Sequence, residues 1–81
     1  MTQFDYIISD PSILGGKPII KGSRISVQMI LEWIASGATV EAIVETYTHL
    51  PEKGVREALL YASQAMNNEI LIEIRTQRIA A

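Results

Sequence analysis

The stretch Leu14-Gly15-Gly16-Lys17-Pro18-Ile19-Ile20-Lys21-Gly22-Ser23-Arg24-Ile25-Ser26-Val27 decides how the rest of the chain is arranged. Glycines 15, 16 and 22 can take positive φ or let backbones approach closely, as tight turns require. Between them, Pro18-Ile19-Ile20 reads as a short extended segment, because the proline ring fixes φ and branched side chains favour β geometry. Lys17, Lys21 and Arg24 place three of the seven basic side chains here, with no acidic residue between them. The arm is basic and rich in turns. It runs directly into a helix, for which Ser26 is a suitable cap.

On the C-terminal side, Val27, Ile30, Leu31 and Ile34 form the three-four repeat of a buried helical stripe, with Met29 and Trp33 broadening it. Gly37 is a natural stop. Trp33 is expected in a core or a dimer seam. Thr39 caps a second helix along Val40, Ile43, Val44 and Tyr47, and Glu41 lies in its first turn, where a carboxylate favours the positive end. Thr48-His49-Leu50-Pro51 breaks the pattern, and Pro51 suits the first position of a third helix over residues 51 to 66. Val55, Ala58, Leu59, Ala62 and Met66 line one face of that helix, extended by Leu60 or Tyr61. Gly54 is a flaw near its start, worth roughly 1 kcal/mol of propensity against alanine. The second helix, a brief turn and the third have the outline of a helix-turn-helix.

On the N-terminal side, residues 4 to 8 are apolar enough for a short strand, closed by a turn at Asp10-Pro11-Ser12. That strand can pair with Ile19-Ile20 as a ribbon supported by the helices. Phe4, Tyr6 and Ile8 then supply core or interface contacts. Asn67 and Asn68 are placed to stop the third helix. Beyond them the pattern is ambiguous: Ile70, Ile72 and Ile74 alternate as in a strand, whereas Ile70, Leu71 and Ile74 fit a helical face. The expected architecture is mainly α: a compact three-helix, helix-turn-helix-like (winged-helix-like) domain over residues 1 to 66. A short N-terminal β-ribbon precedes the helices, and residues 67 to 81 form a C-terminal extension.

An 81-residue chain accommodates one domain. Its 48% hydrophobic and 20% charged content suits a folded domain with some apolar surface closed by a partner. The absence of cysteine excludes a disulfide scaffold, thiol chemistry and a cysteine zinc site. The start Met1-Thr2-Gln3-Phe4-Asp5 lacks the pattern of a signal peptide, and no run is long enough to span a bilayer, so a cytoplasmic protein is expected. The net charge of −2 diagnoses no partner. Its distribution says more: the arm is positive, whereas Glu32, Glu41 and Glu45 make the following stretch negative. A separated positive patch can approach a phosphate backbone despite an acidic total.

Catalytic chemistry is poorly represented. His49 is the sole histidine and sits in a turn without a partner at a useful spacing. It offers no metal site without carboxylates from elsewhere. Glu41 and Glu45 share a helix face and are expected to be solvated. Gly15-Gly16-Lys17-Pro18 lacks the longer glycine loop, lysine and hydroxyl of a nucleotide-triphosphate loop. No enzyme, cofactor or metal is expected. For double-stranded DNA, Lys17, Lys21 and Arg24 are candidate phosphate contacts, and the third helix would offer Lys53, Arg56 and Gln64 to the major groove, beside Glu52 and Glu57. Dimerisation would double the basic surface.

The segment from Leu14 to Val27 resembles the signature of domain-of-unknown-function family 433. The likeness continues through Ile30-Leu31, Ala35-Ser36-Gly37, Glu41-Ala42-Ile43, Tyr47, Val55 and Ala58-Leu59-Leu60-Tyr61-Ala62, and covers about residues 5 to 63. The resemblance implies a small helix-turn-helix-like domain described as an antitoxin and discussed beside toxins of PIN-like nuclease fold. It brings no catalytic residue. Ser23 replaces the threonine usual in the arm. Pro51 and Gly54 stand near the start of the third helix, where a capping threonine and an acidic residue are common. By this analogy the partners are a PIN-like toxin, a second copy of the chain and operator DNA. Trp33, Ile70, Leu71, Ile72, Ile74 and Ile79 are the candidate protein contacts. The alternative is a non-enzymatic dimeric adaptor or structural protein that binds no DNA.

Overall fold

Turn chemistry shapes the N-terminal third. In a computed structural model, which describes residues 4–66, the carboxylate of Asp10 accepts from the Ser12 amide at 2.9 Å and its hydroxyl at 2.7 Å. The Asp10 carbonyl accepts from the Ile13 amide at 2.8 Å, closing the turn around Pro11. This reversal brings β1 (Ile7–Ser9) back against β2 (Pro18–Ile20) as an antiparallel pair, with Ile7 opposite Ile20, Ile8 opposite Ile19 and Ser9 opposite Pro18. The expected strand at residues 4 to 8 is therefore displaced. Phe4 to Tyr6 lie before it, and the one backbone bond of this stretch to the far side of the ribbon is the Tyr6 carbonyl accepting from the Lys21 amide at 2.7 Å. After β2, Gly22 takes φ 81°, and the Ser23 amide donates to the Ile20 carbonyl at 3.0 Å. The Ser23 hydroxyl donates to the same carbonyl at 2.7 Å and accepts from the Ile25 amide at 3.0 Å. A hydroxyl is what this turn uses, so serine in place of threonine keeps it.

The chain then runs beside β2 once more, with the Ile20 amide donating to the Ile25 carbonyl at 2.9 Å and a bridge between Ile19 and Ser26. Ser26 caps α1 (Val27–Ala35), its hydroxyl accepting from the Met29 amide. At the other end Gly37, at φ 110°, allows the Ala38 amide to reach the Trp33 carbonyl and its own amide to reach that of Ile34, both at 3.0 Å. This paired closure stops the helix and turns the chain through 119° into α2 (Val40–Thr46), capped by Thr39 through the Ala42 amide. Pro51 lies just outside α3 (Glu52–Met66), and its carbonyl receives the first amides, from Gly54 and Val55. It stands one residue earlier than expected, which spares the helix its missing N–H.

The core sits between the ribbon and the three helices. Ile20, Ile25, Val27, Ile30, Ile43, Leu50, Val55 and Ala58 are all buried there. Ile19 is also fully buried, so both faces of β2 are covered. Three helices with an N-terminal two-stranded antiparallel sheet make a mainly α, helix-turn-helix-like (winged-helix-like) fold. Several burial expectations need correction. Leu31 is 37% exposed and Met66 60% exposed, because each lies at the edge of its helix's apolar stripe. Leu60 faces out, and Tyr61 extends the packed face of α3, meeting the Phe4 ring edge-on at 5.4 Å. The question of strand or helix after Asn68 lies outside the described residues. Among the described residues no single helix is long and apolar enough to cross a membrane.

Candidate nucleic-acid interface

The outward face of α3 is set by its own periodicity. Gly54, Val55 and Ala58 turn into the core, which leaves Lys53, Arg56, Leu60 and Gln64 exposed on the opposite side. Gln64 stands about 12 Å further along the axis than Arg56. Arg56 is engaged within the molecule: its guanidinium donates to Glu52 at 2.9 Å and to Glu41 of α2 at 3.4 Å. These ion pairs are more than half exposed on each side, so each contributes little to stability. Their consequence is electrostatic. The residue best suited to read guanine is already held between two carboxylates.

Glu57, expected to face the groove beside Arg56, instead turns towards the N-terminal segment. Its carboxylate accepts from the amide of Tyr6 at 2.8 Å and from that of Asp5 at 3.3 Å. It ties the chain leading into β1 to α3, satisfying amides that precede the ladder. Sequence spacing gave no signal for this, because the two partners are about fifty residues apart.

The three cations of the arm are exposed but do not form one cluster. Lys17 reaches Gln28 of α1 at 3.3 Å and borders a shallow groove of about 330 Å³ beside Val27, Leu31, Tyr61 and Met66. Arg24 borders a separate recess of about 540 Å³ with Ile8, Ile13, Ile19, Tyr47 and His49. Lys21 occupies the tip of the turn after β2, with its amide donating to the Tyr6 carbonyl at 2.7 Å. Asp10 lies near Arg24. Its carboxyl is held below the usual aspartate range chiefly by the hydroxyl and amide of Ser12, against an opposing effect of desolvation, with the Arg24 charge the least of these influences.

Leu14 has φ 50° and is the only non-glycine residue with positive φ among the described residues. Gly15 and Gly16 follow at 64° and 86°, so the single turn Leu14–Gly16 coils in the left-handed sense before β2. A branched aliphatic residue is strained there. It is also 44% exposed, so core burial does not account for it. Trp33, proposed as a protein contact, stacks on Tyr47 with ring centroids 4.8 Å apart and planes within 5°. His49 meets Tyr47 edge-on at 6.5 Å and is exposed in the turn before α3. The other proposed protein contacts, Ile70, Leu71, Ile72, Ile74 and Ile79, lie outside the described residues. Among the described residues no group of three His, Asp or Glu side chains is placed to hold a metal ion.

Residues 7–62 match the model of the protein family of unknown function DUF433. The chain belongs to the DUF433 family. The matched span begins at β1 and ends in α3, taking in the ribbon, the left-handed turn and all three helix starts. A curated relative, the uncharacterized protein y4eO of Sinorhizobium fredii (strain NBRC 101917 / NGR234), is 34% identical over 58 residues, covering 72% of this chain and 26% of the relative. The chain thus spans about a quarter of that relative's length. No solved structure matches.

Proposed function

We propose that this DUF433 chain is a non-enzymatic antitoxin that binds and neutralises a PIN-like ribonuclease and attaches to operator DNA as a dimer or as part of the toxin complex. One arrangement carries the reading: a basic-tipped ribbon braced against a helix-turn-helix-like core whose third helix turns Lys53, Arg56 and Gln64 outward. Family membership, and the resemblance of the arm, support it. In this mechanism the exposed face of α3 enters the major groove, its N-terminal turns foremost. Lys17, Lys21 and Arg24 neutralise phosphates, and Arg56 exchanges Glu41 and Glu52 for a base edge or a phosphate. Leu60, 47% exposed on the same face, can meet a thymine methyl. The apolar residues Ile70, Leu71, Ile72, Ile74 and Ile79, with Trp33, are the proposed protein contacts. A cytoplasmic location accords with such a role.

The test is co-purification with the product of the neighbouring gene, followed by assay of that product's ribonuclease activity alone and in the complex. Loss of activity in the complex is expected. A stable pair with undiminished activity would refute the antitoxin role. A second reading, a dimeric adaptor that binds no DNA, is favoured by the two glutamates on Arg56. Titration of operator-sized duplexes at low salt separates the readings, since phosphate contacts make affinity fall as salt rises. Absence of binding by both free protein and natural complex would select the adaptor.

A further inference from the structure

β1 is the open edge of the ribbon. β2 is covered on both sides, by β1 and by the stretch through Ile25 and Ser26, whereas no described residue pairs with the far side of β1. Two bonds fix which groups face outward. The Lys21 amide donates to the Tyr6 carbonyl, and the Ile20 amide turns away from β1 to the Ile25 carbonyl. Antiparallel pairs alternate between bonded and unbonded. Ile8 therefore directs its backbone groups at β2, and Ile7 and Ser9 direct theirs outward. No charged side chain, proline or bulge protects the edge from Ile7 to Ser9, as exposed edges ordinarily require. Ile8, between them, is 38% exposed. We propose that a second copy of the chain closes this edge, β1 pairing antiparallel with the partner's β1 about a two-fold axis at Ile8.

The register is self-complementary. Ile7 faces the partner's Ser9 and Ser9 the partner's Ile7, each pair exchanging both backbone bonds, and neither ribbon gives up a bond of its own. Ile8 meets the partner's Ile8 as an unbonded pair, the closer kind, with Cα atoms about 4.5 Å apart. Its side chain lies on the face of Ile19, in the recess that Ile13, Ile25 and Tyr47 also line. Pairing joins the two recesses across the axis as one apolar surface. The charges agree as well. The partner's Asp10 falls beside Tyr6, and Lys21 stands on the other side of Tyr6. Their backbones are two strand spacings apart, about 10 Å, a gap that the two side chains can span. Asp5 faces the partner's Pro11, so no like charges oppose each other. Strands this short make a small contact, and the dimer belongs among the weak, reversible ones. The seam suits the dimer of the antitoxin reading but rests on the ribbon's geometry alone, so failure of toxin or DNA binding leaves it standing.

Amide exchange by NMR, with sedimentation of the same unmodified full chain over a range of concentrations, tests the pairing. The Ile7 and Ser9 amides should be protected only where the chain sediments as a dimer, and the Ile8 amide at every concentration. A chain that stays monomeric throughout overturns the proposal. A dimer with both outer amides open overturns it by placing the seam elsewhere. Protection of the two amides in the monomer overturns it too, by naming a segment of the same chain as the occupant. The absence of cysteine allows a check on the register. On oxidation, Ile8→Cys should link two chains about tenfold faster than Leu60→Cys on α3, because the paired Cα atoms lie within disulfide range and are held together. Equal rates contradict the register. Ile8→Lys sets two like charges directly opposite and should weaken dimerisation about fivefold or more, and an unchanged dissociation constant removes Ile8 from the axis.

Discussion

Gly54 shows how one residue changes meaning between sequence and structure. By propensity it weakens α3. By geometry it is buried, and a Cβ placed there would lie 3.1 Å from Ile20 Cγ2, 3.2 Å from Pro51 Cγ and 3.5 Å from Tyr6 Cβ. Ile20 is fully buried and the Pro51 ring is stiff, so neither yields readily. Overpacking costs about 1–3 kcal/mol, against a helix-propensity gain of about 1 kcal/mol. Gly54→Ala should therefore lose stability by about 1 kcal/mol net in denaturant unfolding, and a raised midpoint would show that β2 moves aside. Asp10 carries a pH prediction. Its folded carboxyl lies below the ordinary aspartate range, chiefly through Ser12, so the contribution is complete above that range. It is lost as pH falls through the lowered folded value. Carboxyl titration by NMR should show Ser12→Ala moving the Asp10 midpoint upward, and an unmoved midpoint would assign the effect elsewhere. The turn at Asp10 was legible because aspartate, proline and serine act on adjacent backbone. The demand at position 54 was not, since it comes from a strand more than thirty residues away.

At the level of elements, the helix starts and stops were the most legible part. Ser26, Thr39 and Gly37 each act within three or four residues, through bonds the sequence places next to one another. Ser26→Ala should cost about 1 kcal/mol by removing the acceptor for the Met29 amide. Its buried position allows no ready replacement by water. Equal denaturation midpoints for the variant and the parent would contradict that account. β1 was harder to place. The apolar run begins at Phe4, but pairing begins at Ile7, because Glu57 captures the Asp5 and Tyr6 amides first. Glu57→Ala should speed amide exchange at Tyr6 about tenfold or more, for loss of a charge-assisted bond worth about 1.5 kcal/mol or more. Protection equal to the parent's would show that the ribbon holds this segment unaided.

Across the whole molecule, charge placement governs the functional reading. Lys17 and Arg24 border different recesses, and Arg56 is paired with Glu41 and Glu52. If the chain binds operator DNA as proposed, Glu41→Gln together with Glu52→Gln should tighten binding by about three- to tenfold, as two acids leave the face presented to phosphate. Replacing Lys21 and Arg24 by alanine should weaken binding on all sequences alike. It should also reduce the slope of log affinity against log salt by about 0.9 for each phosphate that is no longer neutralised. An unchanged slope would remove these two residues from the interface.

Local chemistry written along the chain settled the caps, the turns, the apolar stripes and the order of strands and helices. These depend on backbone bonds and side-chain periods spanning only a few residues. Packing decided what those elements present: Gly54 as a point of close approach, Glu57 as a tie to the N-terminal segment, Arg56 as a cation held by two acids, and Leu60 rather than Tyr61 as the outward side chain. Each of these depends on an element distant in sequence, and only the folded chain brings that element near.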